Sequence, residues 1–161
     1  MNAANDTSAT VQNLTHSIAI VSIGGEFVVS CFPVVNGKVD TDREIFVRSF
    51  TDGTIARRVF ANKSALLRCK AADFDAQIDW VHHARASLTS CLYREVPNEA
   101  RILLNAIEEL ELCSLVRRDA AREARRANAI KMARAELARR TDGLEAKILV
   151  EAAARAAKGQ P

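Results

Sequence analysis

The chain has 161 residues, a net charge of +3 at pH 7, and a composition that is 48% hydrophobic and 27% charged. These proportions are typical of a globular domain, and they exclude a wholly disordered chain. The longest apolar runs cover only a few residues, so the sequence predicts no membrane partner.

The N-terminal segment and the cysteines both indicate a cytoplasmic protein. Residues 1–16 lack the basic start and the apolar stretch of a secretory signal. They are polar and without periodicity, so we expect a flexible leader there. The four cysteines are isolated along the chain, unlike the paired cysteines of zinc sites and redox motifs. This spacing predicts reduced thiols in a reducing compartment.

The leader is followed by a segment rich in Val, Ile and Phe. Residues 17–23 and 26–35 predict two strands joined by a tight hairpin at Gly24-Gly25, because glycine adopts the positive φ of such turns at little cost. Asn36-Gly37 predicts a second turn.

Two further strands are predicted before the helices begin. Residues 44–50 alternate between two faces, and residues 54–60 predict a fourth strand, with a helical turn as the alternative. Four adjacent strands joined by short turns form an antiparallel β-meander that has one face to cover. The expected fold class is therefore α+β.

Helical periodicity begins at Asn62, a candidate N-cap, and Asp73 is a candidate cap for the next helix. We expect an apolar stripe on that next helix to cover the sheet. The stripe consists of Phe74, Ile78, Val81, Leu88 and Leu92.

The last long helical segment, residues 99–140, changes character near its middle. Large apolar residues are frequent up to Val116 and scarce beyond it. We therefore expect a core domain at 17–116 and a basic, Ala-rich extension at 117–161. Asp142 begins a capping-box pattern, so the extension forms either an αα-hairpin with Leu144, Ile148 and Ala152 or a projecting arm.

Positive charge is concentrated at the start of that extension. Residues 117–140 hold nine Lys/Arg and three Asp/Glu, whereas residues 1–116 hold eleven basic and fourteen acidic residues. On a helix, five arginines of this segment fall within a stripe of roughly 100°. The candidate contacts are Arg118, Arg122, Arg125 and Arg126, with Lys131 and Arg140 as outlying contacts.

An arginine stripe is typical of a helix that follows a phosphate backbone. The leading hypothesis is thus a non-catalytic protein whose basic helix contacts nucleic acid or a nucleoprotein complex. The alternative for the same arginines is a solvated face with local pairs at Asp119–Arg122, Glu123–Arg126 and Glu136–Arg140.

The second functional hypothesis is a protein-interaction module, an inhibitor or an assembly subunit such as phages and mobile elements encode. Its Ala-rich helices would pack on a protein partner or on a second copy, because alanine allows close helix approach. The candidate contacts are Ala120, Ala127, Ile130 and Leu137.

Catalytic and metal-binding motifs give no support to an enzyme. Asp79, His82 and His83 resemble metal ligands, but adjacent helical residues diverge by about 100°. The sequence contains no Walker loop, nucleophile elbow or dinucleotide fingerprint. We therefore expect no enzymatic activity, no cofactor and no metal.

Overall fold

A computed structural model of the chain describes residues 8–115 and 119–142, and it shows an α+β protein. The chain divides into two compact units. The sheet unit comprises residues 1–74 and 112–117, and the helical unit comprises residues 75–111 and 118–161. This division follows other boundaries than the expected core at 17–116 and extension at 117–161.

The sheet unit contains an antiparallel meander whose four main strands lie side by side in chain order. A two-residue strand, β4, pairs with the end of β3. The strands are β1 (Ala9–Gln12), β2 (His16–Ile23), β3 (Glu26–Val35), β4 (Lys38–Val39) and β5 (Phe46–Phe50).

Both predicted tight turns are confirmed. Gly24 and Gly25, with φ of +59° and +89°, join β2 to β3. Asn36 and Gly37, with φ of +52° and +78°, join β3 to β4. Positive φ at both central positions gives the twist that antiparallel neighbours need.

The sheet has four main strands, as expected, but one of them is β1 instead of the predicted strand at 54–60. Part of the predicted leader forms β1, in which Val11 pairs with Ile18. Val11 is half-buried against the core, so tertiary packing orders a segment whose own composition is polar.

The predicted fourth strand, residues 54–60, is wrong, because these residues lie in helix α1 (Gly53–Leu66). The Asp52 carboxylate caps the helix by accepting hydrogen bonds from the Thr54 and Ile55 amides at 2.7 and 3.3 Å. Asn62, expected to be an N-cap, therefore lies in the helix interior. At Gly53 a Cβ would stand 2.6 Å from Phe27 Cζ, so the first turn fits closely over this ring.

The helix that covers the sheet is α1, through Ala56 at its start and Leu67 at its C-cap. The cluster of buried residues beneath α1 does not include the predicted stripe that begins at Phe74. Leu112, which follows residues 75–111 of the other unit in the chain, belongs to the sheet unit and completes its core. Beneath α1 the strands contribute Ile18, Ile20, Val29, Cys31 and Phe46.

The helical unit contains most of three long helices, together with a short 3₁₀ turn (Tyr93–Glu95). The helices are α2 (Ala71–Ser90), α3 (Val96–Leu112) and α4 (Ala120–Thr141). The segment expected to be helical over 99–140 is interrupted after Leu112, and α4 restarts at an Asp119 cap. The predicted hairpin partners Leu144, Ile148 and Ala152 lie outside the described residues.

Each long helix buries one apolar stripe. In α2 this stripe is the predicted one from Phe74 to Leu88, while Leu92 follows the helix and is 59% exposed. In α4 the buried positions are Ala129, Ala133 and Leu137, which allow close packing. No helix among the described residues is both long and apolar enough to cross a bilayer.

Candidate anion-binding surfaces

Two helices carry clusters of positive side chains, and they differ in how those side chains are paired. Helix α4 is the predicted one. Its Arg122 and Arg125 both contact Asp75 of α2, with Arg122 Nη2–Oδ2 at 3.0 Å and Arg125 Nη2–Oδ1 at 2.8 Å. Arg122 Nε also donates to both oxygens of this carboxylate, at 3.1 and 3.2 Å. Asp75 therefore holds the N-terminal turn of α4 against α2.

Asp119 supports the same contact from the helix cap. Its carboxylate accepts hydrogen bonds from the Ala121 and Arg122 amides at 3.0 and 3.2 Å, and it pairs with Arg122 Nη1 at 2.6 Å. Hydrogen bonds from the Arg122 side chain hold the pKa of Asp75 below its usual value. The Arg122 amide does the same for the pKa of Asp119. Arg122 thus links two carboxylates inside the helical unit.

The remaining arginines of α4 are engaged in the same way. Arg126 pairs with Glu123 at 2.6 Å, and Arg139 pairs with Glu136 at 2.5 Å. The hydrogen bond from Arg139 holds the pKa of Glu136 below its usual value. Arg140, which was expected to pair with Glu136, donates instead to the Cys91 carbonyl at 2.8 Å. An ion pair between Arg134 and Glu111 completes the set.

The ten residues proposed from the sequence therefore have different environments. Arg122, Arg125, Arg126 and Arg140 contact polar groups of their own unit. Lys131 is exposed, and Arg118 lies outside the described residues.

The four candidate partner contacts on α4 differ in exposure. Ala120 and Ala127 are exposed, Ile130 is half-buried, and Leu137 is buried. The predicted local pairs Asp119–Arg122 and Glu123–Arg126 are confirmed.

Helix α1 carries the second cluster, which the sequence analysis did not identify. Between Asp52 and Asp73 the chain has five basic residues and no acidic residue. Lys63 is buried, and its Nζ lies 5.8 Å from the centroid of the Phe46 ring. The other four, Arg57, Arg58, Arg68 and Lys70, are exposed. Within the described part of the chain, these four side chains have no carboxylate partner.

The acids that border this segment are occupied by backbone amides. Asp52 caps α1, and Asp73 Oδ2 accepts from the Lys70 amide at 3.4 Å. The Arg57 guanidinium lies 5.6 Å from the centroid of the Phe27 ring, a contact that orients the side chain without neutralising its charge. Arg57 is therefore oriented by an aromatic ring, and its charge stays available.

Net charge separates the two surfaces more clearly than the number of cations. Seven cations of α4 are accompanied by five carboxylates: Asp75, Glu111, Asp119, Glu123 and Glu136. The α1 surface has four cations, and in residues 8–115 and 119–142 no carboxylate pairs with them. An attractive field for anions depends on this difference, because neighbouring charges of opposite sign cancel each other at distances larger than their separation.

The sequence did contain a signal for the α1 surface, namely its acid-free run of twenty residues. A net charge counted over residues 1–116 combines this basic run with acidic residues in the strands and loops before it and in α2 and α3 after it. The combined value is negative, so the run did not stand out. The incorrect strand prediction at 54–60 also concealed it, because a strand would have placed Arg57 and Arg58 on opposite faces.

The candidate metal ligands of α2 are Asp79, His82 and His83, and one of them makes a ring contact instead of facing a metal site. The His83 ring stacks on Trp80 with centroids 5.6 Å apart. In the described residues, no group of three His, Cys, Asp or Glu side chains is arranged to hold a metal ion.

Comparisons with known proteins supply no family for this chain. No family model matches it, and no curated protein or solved structure is significantly similar to it.

Proposed function

We propose that this chain is a non-catalytic binding protein that contacts the phosphate backbone of nucleic acid through the exposed surface of α1. The observation that carries the proposal is a set of four exposed cations that have no carboxylate partner among the described residues, Arg57, Arg58, Arg68 and Lys70. The proposal keeps the predicted partner class and moves the contact from α4 to α1. The cytoplasmic location remains a prediction from cysteine spacing.

The helical geometry of α1 suits a linear polyanion. Arg57, Ala61, Ser64 and Arg68 follow one another at i, i+4, i+7 and i+11, which keeps them on one side of the helix and its C-terminal turn. Eleven residues span about 16 Å of helix axis, the length of several phosphates along one strand. Ala61 and Ala65 are exposed between the arginines, so a backbone can approach closely.

Salt dependence provides the test. Fluorescently labelled duplex DNA and single-stranded RNA are titrated with the full chain at several salt concentrations. Four phosphate contacts predict a log–log slope of up to about −3.6 for duplex and about −2.8 for a single strand. Poly-glutamate of matched charge serves as the competitor, and it should displace neither probe. An absence of binding at low salt would exclude the proposal, and so would equal displacement by poly-glutamate.

One observation favours protein interaction as a second candidate function. Trp80, the single tryptophan of the chain, is 45% exposed on α2. Tryptophan is enriched in the energetically dominant positions of interfaces. If this helix face binds a second copy, tryptophan emission shifts to shorter wavelength as protein concentration rises, and sedimentation shows a dimer. Constant emission together with a monomer in sedimentation would reject self-association.

A further inference from the structure

A groove lies at the C-terminal end of α1, directly beside the cationic surface. Its volume is about 570 Å³, and Arg68 belongs to both the groove and the surface. Three leucines and four polar residues line it: residues 12–14, Leu67, Arg68, Ser114 and Leu115.

The first wall of the groove is the turn between β1 and β2. The Asn13 side-chain oxygen accepts hydrogen bonds from the Thr15 and His16 amides at 2.8 and 2.7 Å. The Asn13 side-chain nitrogen donates to the Leu67 carbonyl at 3.2 Å, so the turn is fixed to the end of α1. Leu14 at the tip of this turn is 93% exposed. Leu14 therefore adds an exposed apolar side chain to the rim of a groove that Leu67 and Leu115 also line.

The second wall is the segment that follows α3. The Ser114 amide donates to the Leu66 carbonyl at 2.9 Å, and the Cys69 amide donates to the Ser114 carbonyl at 3.1 Å. Both walls are therefore tied by hydrogen bonds to the last turn of α1. The backbone of the groove is therefore fixed by the fold, and the exposed side chains of Leu14 and Arg68 complete its lining.

We infer that this groove receives an unpaired nucleobase from a single strand whose phosphates lie along α1. The inference rests on the proposed function and names its partner class. Charge complementarity favours this ligand, because Arg68 lines the groove and also continues the row of exposed cations along α1, where the phosphates of a strand would lie. Apolar side chains can sandwich an extruded base, and the Arg68 guanidinium offers a planar stacking surface.

The polar atoms of the groove suit base edges. The Ser114 hydroxyl and the Gln12 side-chain amide supply donors and acceptors at its border. In a duplex the bases are paired and stacked, so only the phosphates remain available to this protein. The preferred ligand is therefore a single strand, although α1 retains weaker contacts to duplex.

The experiment compares two single-stranded oligonucleotides of equal length, one intact and one with abasic sites at its centre. The abasic strand keeps every phosphate and lacks the bases. We expect the wild-type chain to bind the abasic strand about tenfold more weakly, with an unchanged salt slope. The Leu14→Ser variant should bind both strands with the affinity that wild type has for the abasic one. Leu14 is almost fully exposed, so this variant folds as wild type does.

The outcomes separate the two proposals. Equal affinity for intact and abasic strands, with a steep salt slope, would overturn the groove inference and leave phosphate binding by α1 intact. Salt-insensitive binding, or none, would remove the proposed function and the inference together. Stronger binding to duplex than to the intact single strand would also overturn the inference. An acidic, leucine-containing peptide with the same charge as the strand serves as a competitor. If this peptide displaces the strand, the groove is assigned to a protein ligand instead.

Discussion

Helices α1 and α4 both carry arginines, yet these arginines differ in whether they contact acidic and carbonyl groups. Those of α4 contact carboxylates and a carbonyl of the helical unit, so they contribute to holding that unit together. Those of α1 remain exposed without such partners among the described residues. The comparison shows that a count of basic residues does not locate a binding surface. The positions of the nearby acids decide whether an arginine is available.

The largest expected effect is on binding, from charge reversal on α1. Arg57→Glu combined with Arg58→Glu removes two phosphate contacts and places two negative charges beside the strand. We expect affinity for a single-stranded oligonucleotide at low salt to fall by about 100-fold or more. Fluorescence anisotropy measures the affinity, and circular dichroism confirms that the variant is folded. A folded variant with wild-type affinity would show that α1 is not the contact.

The second effect is on stability, and it should be confined to α4. Leu137→Ala removes a side chain that is 9% exposed, and we expect a loss of about 2 to 3 kcal/mol in the free energy of unfolding. Urea titration measures the loss. Met132→Ala, on the exposed side of the same helix, is the matched control and should change stability little. Equal losses of stability for the two variants would mean that the buried residues of α4 do not anchor this helix.

A smaller loss of stability is expected from the carboxylate shared by two arginines. Asp75→Asn leaves Arg125 without its ionised partner and Arg122 with Asp119 alone, so the melting temperature should fall while affinity for nucleic acid is kept. Asp79→Asn is the control, since this exposed carboxylate on the same helix has no ion pair among those found in the described residues. A gain in affinity for Asp75→Asn, with unchanged melting, would indicate that the arginines of α4 compete for phosphate.

The same carboxylates predict how stability depends on pH. The pKa values of Asp75, Asp119 and Glu136 lie below their usual range in the folded state. Each such group binds its proton more readily when unfolded, so its contribution is complete above pH of about 4 and is lost as pH falls through the folded pKa. We expect the melting temperature to decline below about pH 4, and to decline less in Asp75→Asn. Identical pH profiles for wild type and variant would contradict this role of Asp75.

Much of the fold could be predicted from local sequence, because hairpins and apolar stripes carry their own signals. The turns at Gly24-Gly25 and Asn36-Gly37 and the apolar stripe of α2 are examples. Strand β1 could not be predicted in this way, since the packing of Val11 against the core comes from residues outside the strand. In residues 54–60, β-branched and aromatic side chains favoured a strand, whereas the Asp52 cap and the packing of α1 on the sheet produce a helix.

The candidate site was less predictable, because pairing between helices leaves little trace in sequence. Asp75 is 47 residues away from Arg122, and no spacing rule connects them. Local pairs such as Glu123–Arg126 could be predicted, since residues three apart on a helix lie on the same side. The groove beside Arg68 combines residues from three separate segments, so a sequence pattern alone does not reveal it.

The central claim is that α1, and not α4, supplies the phosphate contacts. The most direct measurement compares the salt slopes of two double variants with equal loss of charge, Arg57→Gln/Arg58→Gln on α1 and Arg134→Gln/Arg139→Gln on α4. All four arginines are exposed. The account predicts that the log–log slope of single-strand binding becomes shallower by about 1.4 for the α1 variant and stays unchanged for the α4 variant. A shallower slope for the α4 variant, with the α1 variant behaving like wild type, would contradict the account.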